Sequence, residues 1–188
     1  MEVKSQNILF LVKAVQNGNK AGQRKLYELY YSYGMSICLR YAANKEEAQE
    51  ILNDSFYKVF TKIDQYNQAR PFKQWFRAIL IHSAIDYHRK YHKLEPFSEL
   101  DDTDAQEPVG NDGWDNLLYD DVMECVQQLP PQYRLVFNLF AVDELNHREI
   151  SQRLDISIGT SKSNYSKARR KLQEILKKNG HLKFYNHA

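Results

Sequence analysis

Apolar residues recur along this chain three and four positions apart, and no convincing two-residue alternation interrupts them, so the pattern predicts helices and no strand. Ile8, Leu9, Leu11, Val12 and Val15 outline a first helix that stops at the breaker cluster Asn17-Gly18-Asn19. A second runs from about Ala21 to Ala43 with Leu26, Leu29, Tyr30, Tyr33, Ile37 and Tyr41 inward. A third covers Glu46–Ile63 on the stripe Ile51, Leu52, Phe56, Val59 and Phe60, and Tyr66–Pro71 breaks it. The fourth, Phe72–Lys90, carries Phe72, Trp75, Phe76, Ile79, Leu80 and Ile85.

Helical spacing returns at Leu117–Leu129, which Pro130-Pro131 ends. Pro131 can open the next helix, Gln132–Val142, with Leu135, Val136, Leu139 and Phe140 inward. Asn146-His147-Arg148-Glu149 is a capping-box pattern with Asn as the cap, and it starts a short helix that buries Ile150 and Leu154. Asp155-Ile156-Ser157 makes a tight turn, and Ser157 can cap a long helix from Ile158 to about Lys178. Short helix, three-residue turn and basic helix make a helix-turn-helix.

Between the two helical runs, Leu94–Asn116 holds Pro96, Pro108, Gly110 and Gly113 and has no helical period, so it reads as a flexible tether. A chain of 188 residues then divides into two small all-α domains, at 1–93 and 117–188, joined by the linker 94–116. No apolar run approaches the roughly 18 residues of a membrane span, so no membrane insertion is expected. The N-terminal apolar stretch is too short for a signal peptide. Cys38 and Cys125, far apart in sequence, read as two lone thiols of a reducing, cytoplasmic compartment.

The formal net charge of +2 changes meaning once it is divided along the chain. Residues 1–93 carry 15 Lys/Arg against 8 Asp/Glu, a net +7. Residues 94–121 carry ten acids and no Lys or Arg, residues 122–158 come to −2, and residues 159–188 to +7. A solvated surface would account for either basic block alone. Their strict segregation around an acidic block points instead to a polyanion partner.

Three clusters in the first half could carry chemistry. Glu47, Glu50 and Asp54 share one face of the third helix, but no His or Cys stands near enough to complete a catalytic or metal site. A docking face for a basic partner fits them better. His82–Asp86 and His88–His92 are i, i+4 pairs that lack further ligands, so they read as exposed histidines on a basic helix and no metal site is assigned. Lys58, Lys62, Tyr66, Arg70, Phe72, Lys73, Trp75 and Arg77 interleave cations and aromatics around one helix–loop–helix corner, as single-strand binders do. Phe72 and Trp75 are core by spacing, which leaves loop residues Tyr66–Arg70 as the stacking candidates.

On the last helix, Ser161, Tyr165, Ala168, Leu172, Ile175 and Leu176 form the inward stripe. Lys162, Ser163, Ser166, Lys167 and Arg170 form an outward one, of residue types that pair with base edges in a major groove. Arg169, Lys171, Lys177 and Lys178 suit phosphates.

Taken together, the chain resembles the extracytoplasmic-function (ECF) sigma factors, bacterial sigma-70-type proteins that carry only the region 2 and region 4 domains. Glu46–Phe60 resembles regions 2.1–2.2, and Phe72-Lys73-Gln74-Trp75-Phe76-Arg77-Ala78-Ile79 resembles regions 2.3–2.4. Leu129–Arg134, His147–Ile150, Ile156–Ser163 and Ala168–Leu172 resemble region 4. The resemblance implies that Glu47, Glu50, Asn53 and Asp54 dock on the β′ clamp helices of core RNA polymerase. It implies that Lys58, Lys62, Tyr66, Asn67, Arg70, Lys73 and His82 hold the −10 element of promoter DNA as it melts. Thr160, Lys162, Ser163, Ser166, Lys167, Arg169 and Arg170 would read the −35 element as duplex. The linker would thread toward the polymerase cleft, an anti-sigma factor would be a further partner, and neither a cofactor nor a reaction of its own is implied.

Three positions depart from the family pattern. Asn53-Asp54 stands for the usual Gln-Glu, His82 stands where many members carry Asn, and Asp155 replaces the usual turn glycine. Asp tolerates left-handed backbone better than most residues, so the turn is expected to survive. Two other classes compete: a DNA-binding regulator that never touches polymerase, which leaves the acidic face and linker unexplained, and a nucleic-acid enzyme, for which no nucleophile or metal cluster is visible.

Overall fold

The computed structural model describes residues 2–91 and 119–180, with side chains from 8–91 and 121–180. Every regular element among them is helical, and the chain divides into two compact units, Met1–His88 and Arg89–Ala188. The acidic linker 94–116 lies outside the described residues.

The first unit holds α1 (Glu2–Gln16), α2 (Lys20–Tyr41), α3 (Lys45–Thr61), a single tight turn at Ile63–Gln65, and α4 (Phe72–Tyr91). Gly18, at φ +71°, closes α1, and the Asn19 side chain accepts the Gly22 amide to open α2. Asn44 does the same for α3 through the Glu47 amide at 2.8 Å, while the Glu47 carboxylate reaches back to the Ala43 amide at 2.8 Å.

The core between these helices is largely aromatic. Phe56 and Phe76 are almost fully buried, their ring centroids 4.9 Å apart, with Tyr30 and Phe72 packed around Phe76. Burying each such side chain stabilises the unit by about 1.5–3 kcal/mol. Of the α2 residues expected inward, Leu29 is the exception at 57% exposure. The buried face turns through Leu26, Gly34, Ile37 and Cys38 instead, which leaves Leu29 to one side.

Gly34 lets α2 approach α3 and α4 closely. A Cβ there would collide with Leu52 Cδ1 and lie 3.2 Å from Phe76 Cζ.

In the second unit, α5 (Tyr119–Gln127) ends before Pro130, and Pro131 is the first residue of α6 (Pro131–Phe137). The expected continuous helix to Val142 instead widens into a π-helical turn over Asn138–Val142. The Asp143 amide donates to the Asn138 carbonyl, and the Asn138 side chain takes the Arg134 carbonyl at 3.0 Å. The next two elements follow the pattern closely: the short α7 (His147–Leu154) and the long α8 (Ile158–Lys178). The inward stripe of α8 packs on α5 and α6, where Ala168, Leu172, Ile175 and Leu176 meet Cys125, Val126, Leu129 and Phe137.

Gly34→Ala tests the close approach. A methyl group gains about 1 kcal/mol of helix propensity, but Leu52 is fully buried and cannot swing away. Overpacking of about 1–3 kcal/mol should win. Urea unfolding of the full chain is therefore expected to shift to lower concentration; an unchanged or higher midpoint would contradict the packing.

Candidate nucleic-acid interface

The α3–α4 corner is built from a run of turn residues, Asn67-Gln68-Ala69-Arg70-Pro71. The Asn67 side chain accepts the Ala69 amide at 2.9 Å, and its carbonyl accepts the Arg70 amide. Lys62, Asn67, Arg70 and Lys73 are exposed here, and His82 is exposed about three turns farther along α4. Beside the loop opens a cleft of about 380 Å³ whose walls include Ile8, Leu9 and Tyr30, with Arg70 and Lys73 on its lining. The Lys73 ammonium stands 4.3 Å over the Tyr33 ring, which holds the cation in place without neutralising it.

Two expected members of this site sit differently. Tyr66 is 7% exposed, packed edge-on to Phe72 at 5.4 Å and against Trp75 at 5.2 Å, and its hydroxyl donates to the Arg70 carbonyl at 2.6 Å. It anchors the loop with its ring largely packed in the core, and it also forms part of the cleft wall. Lys58 is held by Asp54 on its own helix and Asp86 on α4, each at 2.8 Å, and by Ser83 at 3.1 Å. Burial alone would lower its pKa, but hydrogen bonds to both carboxylates outweigh that and raise it. The ammonium thus clamps α3 to α4. His88 also departs from expectation: it is 4% exposed, because it falls on the packed face of α4. Its i+4 neighbour His92 lies outside the described residues.

On α3, Glu50, Asn53 and Asp54 are exposed and Glu47 is half-buried. Tyr57, 67% exposed, falls on the same face at i+3 from Asp54 and i+4 from Asn53. Sequence reading missed it because an aromatic among Phe56, Val59 and Phe60 passes for core. The signal was its helical phase.

In the second unit the capping box is complete: Asn146 accepts the Glu149 amide at 2.9 Å, and Glu149 accepts the Asn146 amide at 2.9 Å. Asp155 takes the left-handed conformation, φ 55° and ψ 48°, so the turn survives without glycine. Ser157 then accepts the Thr160 amide at 2.9 Å and starts α8. The Thr160 hydroxyl is itself bonded to Ser157 at 2.9 Å, which ties it to the cap.

Ser161 and Ala168 are fully buried, and that fixes the rotation of α8 about its axis. Lys162, Ser166 and Arg170 stand exposed on the far side, with Ser163, Lys167 and Arg169 half-buried beside them. No Asp or Glu occurs between Ile158 and Leu172. Asn164, 6% exposed, joins the inward face although the apolar pattern skipped it.

α7 and α8 also meet through His147. Its ring stacks on Phe140 at 4.4 Å and shares a 3.0 Å hydrogen bond with the Ser161 hydroxyl. Burial lowers its pKa from the ordinary 6.5, and Lys162 lowers it further. Among the described residues, no group of three or more His, Cys, Asp or Glu gathers as metal ligands, and no helix is long and apolar enough to cross a membrane.

The His147 environment sets a pH dependence. Between its lowered native pKa and 6.5 the unfolded chain binds the extra proton, so stability from this group is complete above about pH 6.5 and is lost as the pH falls through the native value. Urea midpoints measured from about pH 7.5 down to about pH 5.5 should fall more for the parent than for His147→Gln. Equal losses would refute the assignment.

Two family models match the chain: "Sigma-70 region 2" over residues 26–93 and "Sigma-70, region 4" over residues 119–172. The ECF RNA polymerase sigma factor SigW of Bacillus subtilis is 26% identical over 184 residues, covering 88% of this chain and 95% of the relative. The ECF RNA polymerase sigma-E factor of Salmonella typhimurium is 24% identical over 172 residues, covering 85% and 88%. Among solved structures, the sigma factor RpoE of Bartonella quintana in complex with the anti-sigma factor NepR aligns with 19% identity and a TM-score of 0.47, over 94% of this chain and 98% of that one.

Proposed function

The chain belongs to the extracytoplasmic-function group of the sigma-70 family, and from that membership we propose how its two units divide the work of starting transcription. It is an RNA polymerase sigma factor, directing core polymerase to promoters. Residues 1–93 serve core binding and the −10 element, 94–116 the polymerase channel, and 117–188 the −35 element.

On the core-binding side, Glu50, Asn53 and Asp54 meet the basic clamp helices of β′, and Tyr57 supplies an apolar anchor beside them. Buried aromatic anchors ringed by polar contacts commonly dominate such interfaces. Glu47 stands at the edge of this face and spends its carboxylate on the Ala43 amide that enters α3. Asp54 is shared with Lys58, so docking draws on a carboxylate that also holds the ammonium clamping α3 to Asp86 of α4.

At the −10 element, Arg70 and Lys73 line the cleft, Lys62 and Asn67 are exposed at the adjoining end of α3 and its loop, and His82 is exposed farther along α4. Turning a base out of its stack costs a few kcal/mol. A 380 Å³ cleft with Tyr30 in its wall and two cations at the lining suits an unpaired base and the phosphates beside it. Tyr66 acts here through the loop it anchors, and Lys58 through the helix pair it clamps. The acidic linker enters the polymerase cleft as a nucleic-acid mimic, and an anti-sigma factor holds the protein inactive in the cytoplasm. The protein carries no reaction of its own.

The observation that carries the reading is α8. A capped helix whose first fifteen residues, Ile158–Leu172, hold no acid and whose inward face is locked offers Lys162, Ser163, Ser166, Lys167 and Arg170 to a major groove, and Arg169 to a phosphate. A regulator that uses α8 alone would leave the α3 face without a role. Core-polymerase binding separates the two readings. Glu50→Lys is expected to weaken association with core while the chain stays folded, and no association of the parent with core would sink the sigma mechanism. Within the holoenzyme, Lys162→Ala and Lys167→Ala should each reduce −35 discrimination by roughly 1–3 kcal/mol, and an unchanged preference in a promoter library would refute their role.

A further inference from the structure

We propose that Ile158 reads the C5-methyl group of a thymine in the −35 element, which makes it a specificity residue beside the polar stripe of α8. The inference rests on α8 being the helix that enters the groove.

Ile158 is 45% exposed and is the first residue of α8, directly after the Ser157 cap. A single exposed apolar side chain is ordinary on a protein surface, so exposure alone says little. Its place says more. In a helix-turn-helix the N-terminal residues of the second helix reach the base edges, and apolar side chains there meet thymine methyls.

Three features direct this particular isoleucine outward. Ser157 and Asp155 fix where α8 begins: the cap accepts the Thr160 amide, and the left-handed residue closes α7. Ser161, fully buried, fixes the rotation, so Ile158 falls beside Lys162 one turn along, and Lys162 is exposed on the same edge. Gly159 leaves the backbone bare next to it, since a Cβ there would meet nothing nearer than the Ser157 hydroxyl at 3.5 Å. A bulky β-branched group thus stands at the leading end of α8 with no side chain following it. Lys162 can take a guanine O6 or N7 while the Ile158 methyls cover the 5-carbon of a neighbouring thymine.

Deoxyuridine tests this without disturbing a hydrogen bond, because it lacks only the methyl. On the −35 element that the holoenzyme selects from a random library, each thymine is replaced in turn by deoxyuridine. Binding is then measured with the parent chain and with Ile158→Ala. One position should lose on the order of threefold to tenfold affinity with the parent and nothing with Ile158→Ala, while the other positions behave alike in both.

Equal responses in the two proteins at every thymine, or a selected element with no thymine, would overturn the proposal. Lys162→Ala is measured in parallel. If it changes base preference while the deoxyuridine series is flat, Ile158 fails and α8 keeps its role. If neither changes anything, the reading of α8 fails as well. Because Ile158 is half out in solvent, its truncation leaves the core untouched, and a thermal melt confirms the fold.

Discussion

A protein that grips a polyanion has to keep its own carboxylates from reaching the gripping surface first. This chain has 24 acids against 26 Lys and Arg, so random placement would neutralise most of its cations. Ten of the acids are gathered in residues 94–121 instead. Ile158–Leu172 of α8 contains none, and the corner Tyr66–Pro71 contains none. On α8 the Lys171–Glu174 pair falls past the groove-facing turns. Where an acid does stand on α4, it is Asp86, and Lys58 from α3 occupies it. That bridge removes one cation from the DNA face and one anion with it. Both are partly exposed, so its worth lies in setting α3 against α4 more than in stability.

Clean faces serve recognition only if the helices beneath them are fixed in rotation and position. In the first unit the aromatic cluster around Phe56 and Phe76, and the close approach at Gly34, set how α2, α3 and α4 meet. The same packing that points Val59 inward turns Tyr57 and Glu50 outward. In the second unit the work is done by caps. Asn146, Asp155 and Ser157 define within one residue where α7 stops and α8 starts, and buried Ser161 defines which way α8 faces. A shift of one residue would rotate Lys162 by about 100° and move it out of the groove.

Local chemistry was the legible part of the sequence. Caps, breakers and the inward stripe of α8 depend on residues within four positions of each other, and they stand where the pattern placed them, Asp155 included. What escaped the pattern depends on distant partners. Lys58 and Asp86 are 28 positions apart, so a cation that looks available in sequence is engaged in space. Tyr66 belongs to a loop, and loops usually face water, yet Phe72 and Trp75 draw its ring inward. Leu29, Tyr57 and His88 were misread or passed over for a simpler reason. Periodicity gives the spacing of a helical stripe but not its centre, and one residue of error carries a side chain from core to surface. The π-helical turn at Asn138 likewise depends on where a side-chain amide goes, which composition does not reveal.

Two basic faces, one for unpaired bases and one for duplex, make promoter opening the central claim. Permanganate reactivity of promoter thymines, in the presence of core polymerase and this chain, tests it most directly. Reactive thymines should appear at the −10 element, downstream of the duplex that α8 covers, and only when both proteins are present. Protection of duplex DNA by the chain, with no reactive thymine in any combination with core, would contradict the account.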